Sequence, residues 1–447
     1  MNLNQAFLTI FITVTLLMMA YWLYRAPSRG YGFPFFAGAI ALALVLPQGI
    51  AFSHQTELMP PGGFIITMLF ASLCTVALWA GFAAGLRNAR IPGFLASEKW
   101  DDATLLRSAK VFIALGVFFN LWLNRIDIQR DPVSGNWTGL ATILNFFSQW
   151  LKIGMIMALY IALKKGSREG WWLFGVAMIF VLPAILIGGR RADIMQLLAA
   201  VLFSLWFVRH RAVPRFLFVA MAAGMSLFLV ATGMFRGIMN SPDLQHLSYW
   251  EKLSMVDWSM AWSQTLETGG GGELLNCVYG ISAADELMKF DFGIPLWNLI
   301  VWNFIPGQMI GAEVKQSLYL WINWPFYHVT TECYPSYSGL AGSMWMGYTD
   351  AFQSYWWLGW IVFLVIAWCM GRLYRLAADG NPGGIILYIW IFTHALHIIP
   401  ALTYGFWTNM FYFFVFCLPI IQLCRVRRKF DSEKEEKLSA ILKRGDL

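Results

Sequence analysis

The feature that most constrains the fold is a series of apolar runs of roughly 20 residues each. A run of that length can cross the hydrocarbon core of a bilayer as a single helix. Only 13% of the 447 residues are charged, about half the share of a soluble protein. The sequence therefore predicts an all-α, polytopic membrane protein of about eleven transmembrane helices. They are expected at 7–24, 33–51, 64–85, 105–123, 139–163, 171–187, 194–208, 216–234, 355–371, 384–402 and 405–424.

Basic residues cluster in every second predicted loop, after helices 1, 3, 5, 7, 9 and 11. They are Arg25, Arg29, Arg87, Arg90, Lys99, Lys164, Lys165, Arg168, Arg209, Arg211, Arg215, Arg372, Arg375 and the cluster at 425–429. Short loops rich in Lys and Arg stay in the cytoplasm. This pattern predicts a multi-pass protein with its N-terminus outside and its C-terminus in the cytoplasm. No basic residue precedes the first apolar run, so no cleavable signal peptide is expected.

The pattern divides the chain into four parts. Residues 1–234 are predicted to form a bundle of eight helices, and residues 355–424 add three more. Residues 235–354 form a large segment on the outer face, and residues 425–447 form a cytoplasmic tail.

The outer segment 235–354 is too long to be a simple connection. It has four basic and eleven acidic residues, together with many aromatic ones. We expect it to form helices that lie on the membrane or dip into it, with Ser254 to Leu266 and Leu296 to Trp302 as the best candidates. A large ordered segment of this kind is expected to carry function.

Five arginines stand on the predicted outer face, where basic residues are disfavoured, and two of them, Arg125 and Arg130, lie in the loop between the fourth and fifth spans. Arg190 and Arg191 form a short turn with two preceding glycines, and Arg236 stands where the eighth span meets the outer segment. Their guanidinium groups suit phosphate oxygens and indicate a bound anion. The alternative is that Arg190 and Arg191 pair with Asp193 or with lipid headgroups.

Two further groups of ionisable residues lie inside predicted spans. Lys152 is within the fifth span, where a lysine is costly unless it faces a cavity or a partner. It could instead snorkel to the interface if the helix begins later. His394 and His397 share one face of the tenth span and could form a proton relay or simply pack in the bundle.

A general base near the outer arginines would have to come from the outer segment, which offers His246, His328, Glu332 and Asp350. No His or Cys spacing predicts a metal site, and no nucleotide-binding motif is present, so no cofactor is expected. The net charge of +7 gathers in loops and the tail and requires no nucleic-acid partner. A disulfide between Cys277 and Cys333 is left open.

These residues resemble those of the Wzy-type oligosaccharide repeat-unit polymerases, which include the O-antigen and enterobacterial common antigen polymerases. The arginine of the family's Gly-Gly-x-Arg turn falls on Arg191. Further matches are Phe304-Ile305-Pro306, the stretch from Tyr337 to Ser343, Gly347-Tyr348 and the region around Gly359. The resemblance covers roughly residues 170–375 in pattern and the whole chain in topology.

The resemblance implies a metal-independent, lipid-linked glycosyltransferase (GT-C-like) at the periplasmic face of a bacterial inner membrane. Its substrates would be oligosaccharides linked to undecaprenyl pyrophosphate, and a chain-length regulator (a polysaccharide co-polymerase) would be a further partner. Arg191, supported by Arg190, Arg236 and Lys152, would hold the pyrophosphate. His328 or Glu332 would be the catalytic base.

Two other readings stay open. O-antigen ligases pair an arginine with a His-x10-Gly pattern, and His328 and Gly339 have that spacing. A transporter of lipid-linked sugars is the third hypothesis, although such proteins commonly show internal repeats, which are not visible here.

Overall fold

A computed structural model of the chain describes residues 2–25, 30–87, 92–96, 99–126, 139–186, 191–211, 238, 249–255, 257, 272–305, 307–321, 326–337, 339 and 344–425. Throughout these ranges the regular secondary structure is helical, with no β-strand. Seven helices are long and apolar enough to cross a membrane. The described part of the chain is therefore all-α, as predicted, and has the character of a polytopic membrane protein.

The helices of the first half pack as one bundle. They are α1 (Leu3–Arg25), α2 (Phe33–His54), α3 (Gly63–Arg87), α4 (Asp102–Leu123), α5 (Leu140–Ser148), α6 (Trp150–Lys165), α7 (Arg168–Leu186) and α8 (Arg191–Arg209). The second half contributes α9 (Tyr249–Ser254), α10 (Glu273–Leu287), α11 (Ile294–Phe304), α12 (Gly307–Ile310), α13 (Ala312–Ser317), α14 (Phe326–Cys333), α15 (Gly347–Tyr355), α16 (Trp360–Ala378), α17 (Pro382–Leu396) and α18 (Tyr404–Tyr412).

The seven long apolar helices coincide with seven of the eleven predicted spans. They are α1 to α4, Leu140–Lys165, Gly347–Ala378 and Tyr404–Arg425. The predicted spans at 171–187 and 194–208 correspond to α7 and α8, helices of 19 residues each that are not among the seven. The span at 384–402 corresponds to α17, which has only 15 residues, and 216–234 lies outside the described residues. The count of eleven stays a prediction.

The backbones of α3 and α16 touch. A Cβ atom on Gly81 would lie 2.1 Å from the carbonyl oxygen of Leu364, and one on Gly85 would lie 2.3 Å from that of Trp368. The Gly-x3-Gly spacing thus lets the two backbones touch, as in many transmembrane helix pairs. Residue numbers rise together along both helices, so α3 and α16 run parallel. The predicted topology also requires the third and ninth spans, which correspond to α3 and α16, to cross the membrane in the same direction.

The end of α3, the end of α16 and the start of α4 lie together. Asn381, which caps α17 just after α16, donates from Nδ2 to the carbonyl oxygen of Leu95, and a Cβ on Gly383 would meet the Trp100 ring. Leu95 and Trp100 belong to the connection that leads into α4. We call this end of the bundle the basic end, because it carries Arg87, Lys99, Lys164, Lys165, Arg168, Arg372 and Arg375.

The chain then crosses the bundle three times. The Asp102 carboxylate at the start of α4 pairs with Lys164 (2.8 Å) and Lys165 (3.1 Å) at the end of α6, so α4 and α6 are antiparallel. Gly170 packs against Ala162, which turns α7 back along α6. The starts of α6 and α8 consequently lie at the opposite end of the bundle, away from the basic end.

The segment predicted to lie outside packs on this opposite end. Gln48 near the end of α2 accepts from Leu274 N at 2.7 Å and donates to Glu273 at 3.1 Å, which fixes the start of α10. Farther along α10, a Cβ on Gly63 at the start of α3 would meet the Ser282 side chain. Most of α10 and α15 is buried. These two helices pack into the end of the bundle, and the expectation that the segment lies on the membrane or dips into it stays a prediction.

Two buried carboxyl groups fix the segment in place. Asp350 Oδ2 accepts from Thr403 N (3.0 Å) and Thr403 Oγ1 (2.5 Å), which ties α15 to the start of α18. Asp291 Oδ1 accepts from Ser354 Oγ (2.7 Å) and Gly293 N (3.0 Å). Burial raises the pKa of Asp291 above its usual value. Buried donors matched to buried acceptors hold this fold more specifically than apolar contact alone.

Two smaller predictions can be compared with the structure. The helix expected over Leu296 to Trp302 is observed within α11, whereas α9 ends at Ser254 and most of the helix expected beyond it lies outside the described residues. Cys277 and Cys333 are both free thiols. Burial raises the pKa of Cys277 to about 12, and Cys333 Sγ donates to Glu286 at 3.3 Å.

Candidate functional site

The first turn of α8 carries an ion pair. α8 begins at Arg191, so Asp193 lies in its first turn, and this residue is buried. Lys152 Nζ lies 2.5 Å from Asp193 Oδ1, and 17% of the lysine and 7% of the aspartate side chain are exposed. The lysine predicted to need a cavity or a partner therefore has a partner. Asp193, a predicted partner of the outer arginines, is engaged by Lys152, and the side chains of Arg190 and Arg191 lie outside what the structure describes.

Such a pair does not by itself stabilise a fold, because the loss of hydration offsets the attraction between the charges. Removing one member, however, leaves a buried charge alone and costs about 3–5 kcal/mol. The N–H groups in the first turn of a helix lack partners within the helix and favour nearby negative charge. The pair thus brings a cation and a carboxylate to the start of α8, and the carboxylate takes the position that an anion favours there.

Further polar side chains lie on helices packed beside the pair. His394 and His397 lie at the end of α17 with ring centroids 6.3 Å apart, and α17 packs against both α6 and α8. Gln196 is buried one turn after Asp193, on the same face of α8. Gln196 Nε2 and His394 Nε2 are two of the 14 buried side-chain atoms that have no hydrogen-bond partner among the described residues. We call Lys152, Asp193, Gln196, His394 and His397 the Lys152 cluster.

Unpaired polar atoms of this kind need an explanation. A buried donor without a partner costs about 1–3 kcal/mol, and native proteins contain few of them. Gln196 Nε2 and His394 Nε2 lie on the two helices packed beside the charged pair, where a polar ligand or water would complete their hydrogen bonds. Intramembrane ionisable residues are functional candidates for the same reason.

Part of the outer segment packs against residues that lie just before Lys152 in the sequence. Phe304 of α11, part of the Phe304-Ile305-Pro306 match, contacts Phe146 with ring centroids 5.5 Å apart. It also contacts Phe411 at 4.7 Å. Phe146 precedes Lys152 by less than two helical turns, in the run that continues from α5 into α6. α11 therefore packs at the same end of the bundle as the cluster.

The two predicted bases are on α14. Glu332 is half-exposed, and its carboxylate accepts from Lys289 Nζ at 2.5 and 2.6 Å. Its ion-pair partner is thus Lys289 and not a residue of the Lys152 cluster. His328 lies in the backbone of α14, but its side chain lies outside what the structure describes. The assignment of either residue as a base stays a prediction.

The predicted arginines are less completely described. Arg190 and Arg236 lie outside the described residues, and only the backbone of Arg191 is described. Four residues were predicted to bind pyrophosphate. Lys152 is the one whose side chain is described, and it lies at the start of α8, the helix that begins at Arg191. Gly339, the glycine of the ligase-like spacing, has a positive φ of 80°. That conformation accounts for a glycine without a ligand.

Sequence reasoning did not connect the members of the Lys152 cluster. Lys152 was singled out as a charge in an apolar run, and His394 and His397 as a pair, but their proximity depends on how α6, α8 and α17 pack. Gln196 had no signal beyond being an amide in an apolar run. Asp291 was also missed, since an acidic residue between two helices usually faces solvent.

No protein-family model, curated protein or solved structure matches this chain. Within the described residues, no group of three or more His, Cys, Asp or Glu side chains is placed to hold a metal ion.

Proposed function

We propose that this chain is a polymerase that joins oligosaccharide repeat units carried on undecaprenyl pyrophosphate. The observation that carries the proposal is the Lys152–Asp193 pair in the first turn of α8, directly after the two arginines of the Gly-Gly-x-Arg-like turn. A cation, a helix N-terminus and adjacent guanidinium groups together suit the pyrophosphate of a lipid carrier.

The proposed topology has eleven spans in a bacterial inner membrane. The positive-inside rule assigns the basic end to the cytoplasm, because described basic residues from several connections gather there. The start of α8 and the helices packed on it would then face the periplasm, together with the N-terminus. Residues 235–354 would cover the site as a periplasmic domain and offer a surface for a chain-length regulator.

In the proposed reaction, the bond between the anomeric carbon of the growing glycan and the pyrophosphate oxygen breaks. The electron pair leaves with the lipid pyrophosphate, whose rising charge Arg191 stabilises with Arg190, Arg236 and Lys152. A hydroxyl of the incoming repeat unit bonds to the anomeric carbon and gives its proton to a base. His328 or Glu332 supplies the base, and Glu332 must first leave Lys289.

Glycan size analysis tests the proposal in a strain that lacks this chain. We expect single repeat units on the final carrier and no polymer. A plasmid-borne Arg191→Ala variant should restore at most about 1% of the polymer, since removing one group that stabilises transition-state charge costs roughly 100-fold or more. Arg209→Ala, at the other end of the same helix, is the matched control and should restore polymer fully.

Two results would contradict the proposal. Lipid-linked polymer accumulating in the deletion strain would identify a ligase, and full polymer in Arg191→Ala cells would remove the assigned role of that arginine. Immunoblots of the membrane fraction must show equal amounts of both variants, so that loss of polymer reflects chemistry and not loss of the protein.

A further inference from the structure

We propose that the Lys152 cluster is a pyrophosphate pocket in which Asp193 occupies the anion position until a substrate displaces it. Gln196 and His394 would then be further ligands of the pyrophosphate, with Asp193 as an internal competitor. This inference rests on the proposed function for the source of the anion, a polyprenyl pyrophosphate. The ligand chemistry, a phosphate-type anion, follows from the side chains themselves.

The first step is the excess of donors over acceptors. Lys152 has three N–H donors and no acceptor, and the Gln196 amide adds two more donors. Among the described residues, Lys152 Nζ pairs with the Asp193 carboxylate through Oδ1. Gln196 Nε2 is buried without a partner among the described residues and is a donor that Asp193 does not satisfy. His394 Nε2, also buried without a partner there, becomes a second donor in the tautomer that carries the proton on Nε2. A pyrophosphate has enough oxygens to accept from all of them.

The second step is the position of the carboxylate. Asp193 lies within the first turn of α8, where anions bind at helix N-termini. Its short contact with Lys152 resembles the contact that a phosphate oxygen would make with a lysine. The side chain therefore neutralises the lysine in the resting protein and marks the place of the substrate's charge.

The third step is the packing of His394 against a neighbouring aromatic ring. The ring of Trp390 packs against His394 with centroids 5.2 Å apart and is itself buried. This contact holds the imidazole in one place instead of leaving it free to move. A pocket with one rigid wall and an exchangeable carboxylate can open without rearranging the bundle.

The test is a binding titration of detergent-purified, full-length protein with inorganic pyrophosphate. We expect the monodisperse fraction of Asp193→Asn to bind tighter than wild type by about 100-fold or more, because the anion then pairs a buried lysine that the substitution leaves alone. Asp102→Asn is the matched control. It frees Lys164 and Lys165 at the basic end, so it should leave the affinity unchanged.

His394 is tested by a pair of variants. His394→Leu should weaken binding about tenfold, because it removes one hydrogen bond to a charged ligand. His394→Gln keeps an N–H donor and should recover most of the affinity. A double variant, Lys152→Gln with Asp193→Asn, leaves no buried charge unpaired and should abolish binding while the protein stays monodisperse.

A second arm identifies the source of the anion. A short-chain polyprenyl pyrophosphate should displace inorganic pyrophosphate from the wild-type protein, and its failure to do so would overturn the lipid assignment. The pocket is also overturned if wild type does not bind, if Asp193→Asn has no effect or if Asp102→Asn gives the same gain.

The binding results separate this inference from the proposed function. Binding that follows the predicted order in a protein whose Arg191→Ala variant still makes polymer supports the pocket and contradicts the polymerase assignment. The opposite result is loss of polymer in Arg191→Ala cells with pyrophosphate binding that no substitution in the Lys152 cluster changes. It would support the polymerase assignment and contradict the pocket.

Discussion

At the scale of single residues, Lys152 and Asp291 are each held by a partner from a distant part of the chain. Lys152 stood out because a lysine inside an apolar run is costly. Its partner could not be predicted, since Asp193 is 41 residues away and meets it only through helix packing. The same holds for Asp291, whose burial depends on Ser354 lying opposite.

Asp291 makes stability depend on pH in a direction that can be stated. Burial raises its pKa in the folded protein, so its contribution is fully present below the unfolded value of about 3.9 and is lost as pH rises through the folded value. Asp291→Asn keeps the acceptor for Ser354 and Gly293 but has no charge to bury. The melting temperature of Asp291→Asn minus that of wild type should therefore increase as pH rises from about 4 to 8.

Thermal unfolding in detergent at several pH values measures this difference. Asp379→Asn is the matched control, because Asp379 is half-exposed beside Arg375 at the basic end. It should shift the melting temperature little at any pH. A constant gap between Asp291→Asn and wild type across the range would contradict the account of a buried acid.

At the scale of helices, the length and apolar character of a run predicted that a helix exists there. They did not predict which other helices it packs against. The seven long helices were all expected from their runs. α10 and α15 were not recognised as part of the bundle, because α10 contains Asn276 and Ser282 and α15 contains Asp350. Asn276 accepts from Tyr337 and Asp350 accepts from Thr403, whereas Ser282 donates to Val278 within α10. Hydropathy cannot show such partners.

The contact between α3 and α16 gives a prediction for a pair of helices. Gly81→Leu or Gly85→Leu would push a side chain into the backbone of α16, where a Cβ alone lies within 2.4 Å of a carbonyl oxygen. Overpacking typically costs about 1–3 kcal/mol, and contact with backbone places these variants at the upper end or beyond it. We expect a lower melting temperature and an aggregated fraction in size-exclusion chromatography.

Gly175→Leu is the control for these variants. Gly175 is also in an apolar helix, α7, but nothing lies within 4 Å of a Cβ built there. It should elute and melt like wild type. Equal behaviour of Gly81→Leu and Gly175→Leu would show that the close approach of α3 and α16 does not hold the bundle together.

At the scale of the whole molecule, the distribution of basic residues was the strongest signal. It predicted which connections share one side, and the packing of α3, α4, α6 and α16 brings those described residues to one end. The site was only partly predictable. Lys152 and the start of α8 come together as a group, whereas Glu332 pairs with Lys289.

The most direct test of the central claim is the side of the membrane on which α8 begins. Single cysteines are placed at Gly189, in the turn before α8, and at Arg168, at the basic end, in a background lacking the partly exposed Cys333, Cys369 and Cys424. An impermeant maleimide on intact spheroplasts should label the cysteine at 189 and reach that at 168 only after permeabilisation. Labelling at 168 but not at 189 in intact spheroplasts would put the start of α8 in the cytoplasm, and a periplasmic polymerase site there would be contradicted.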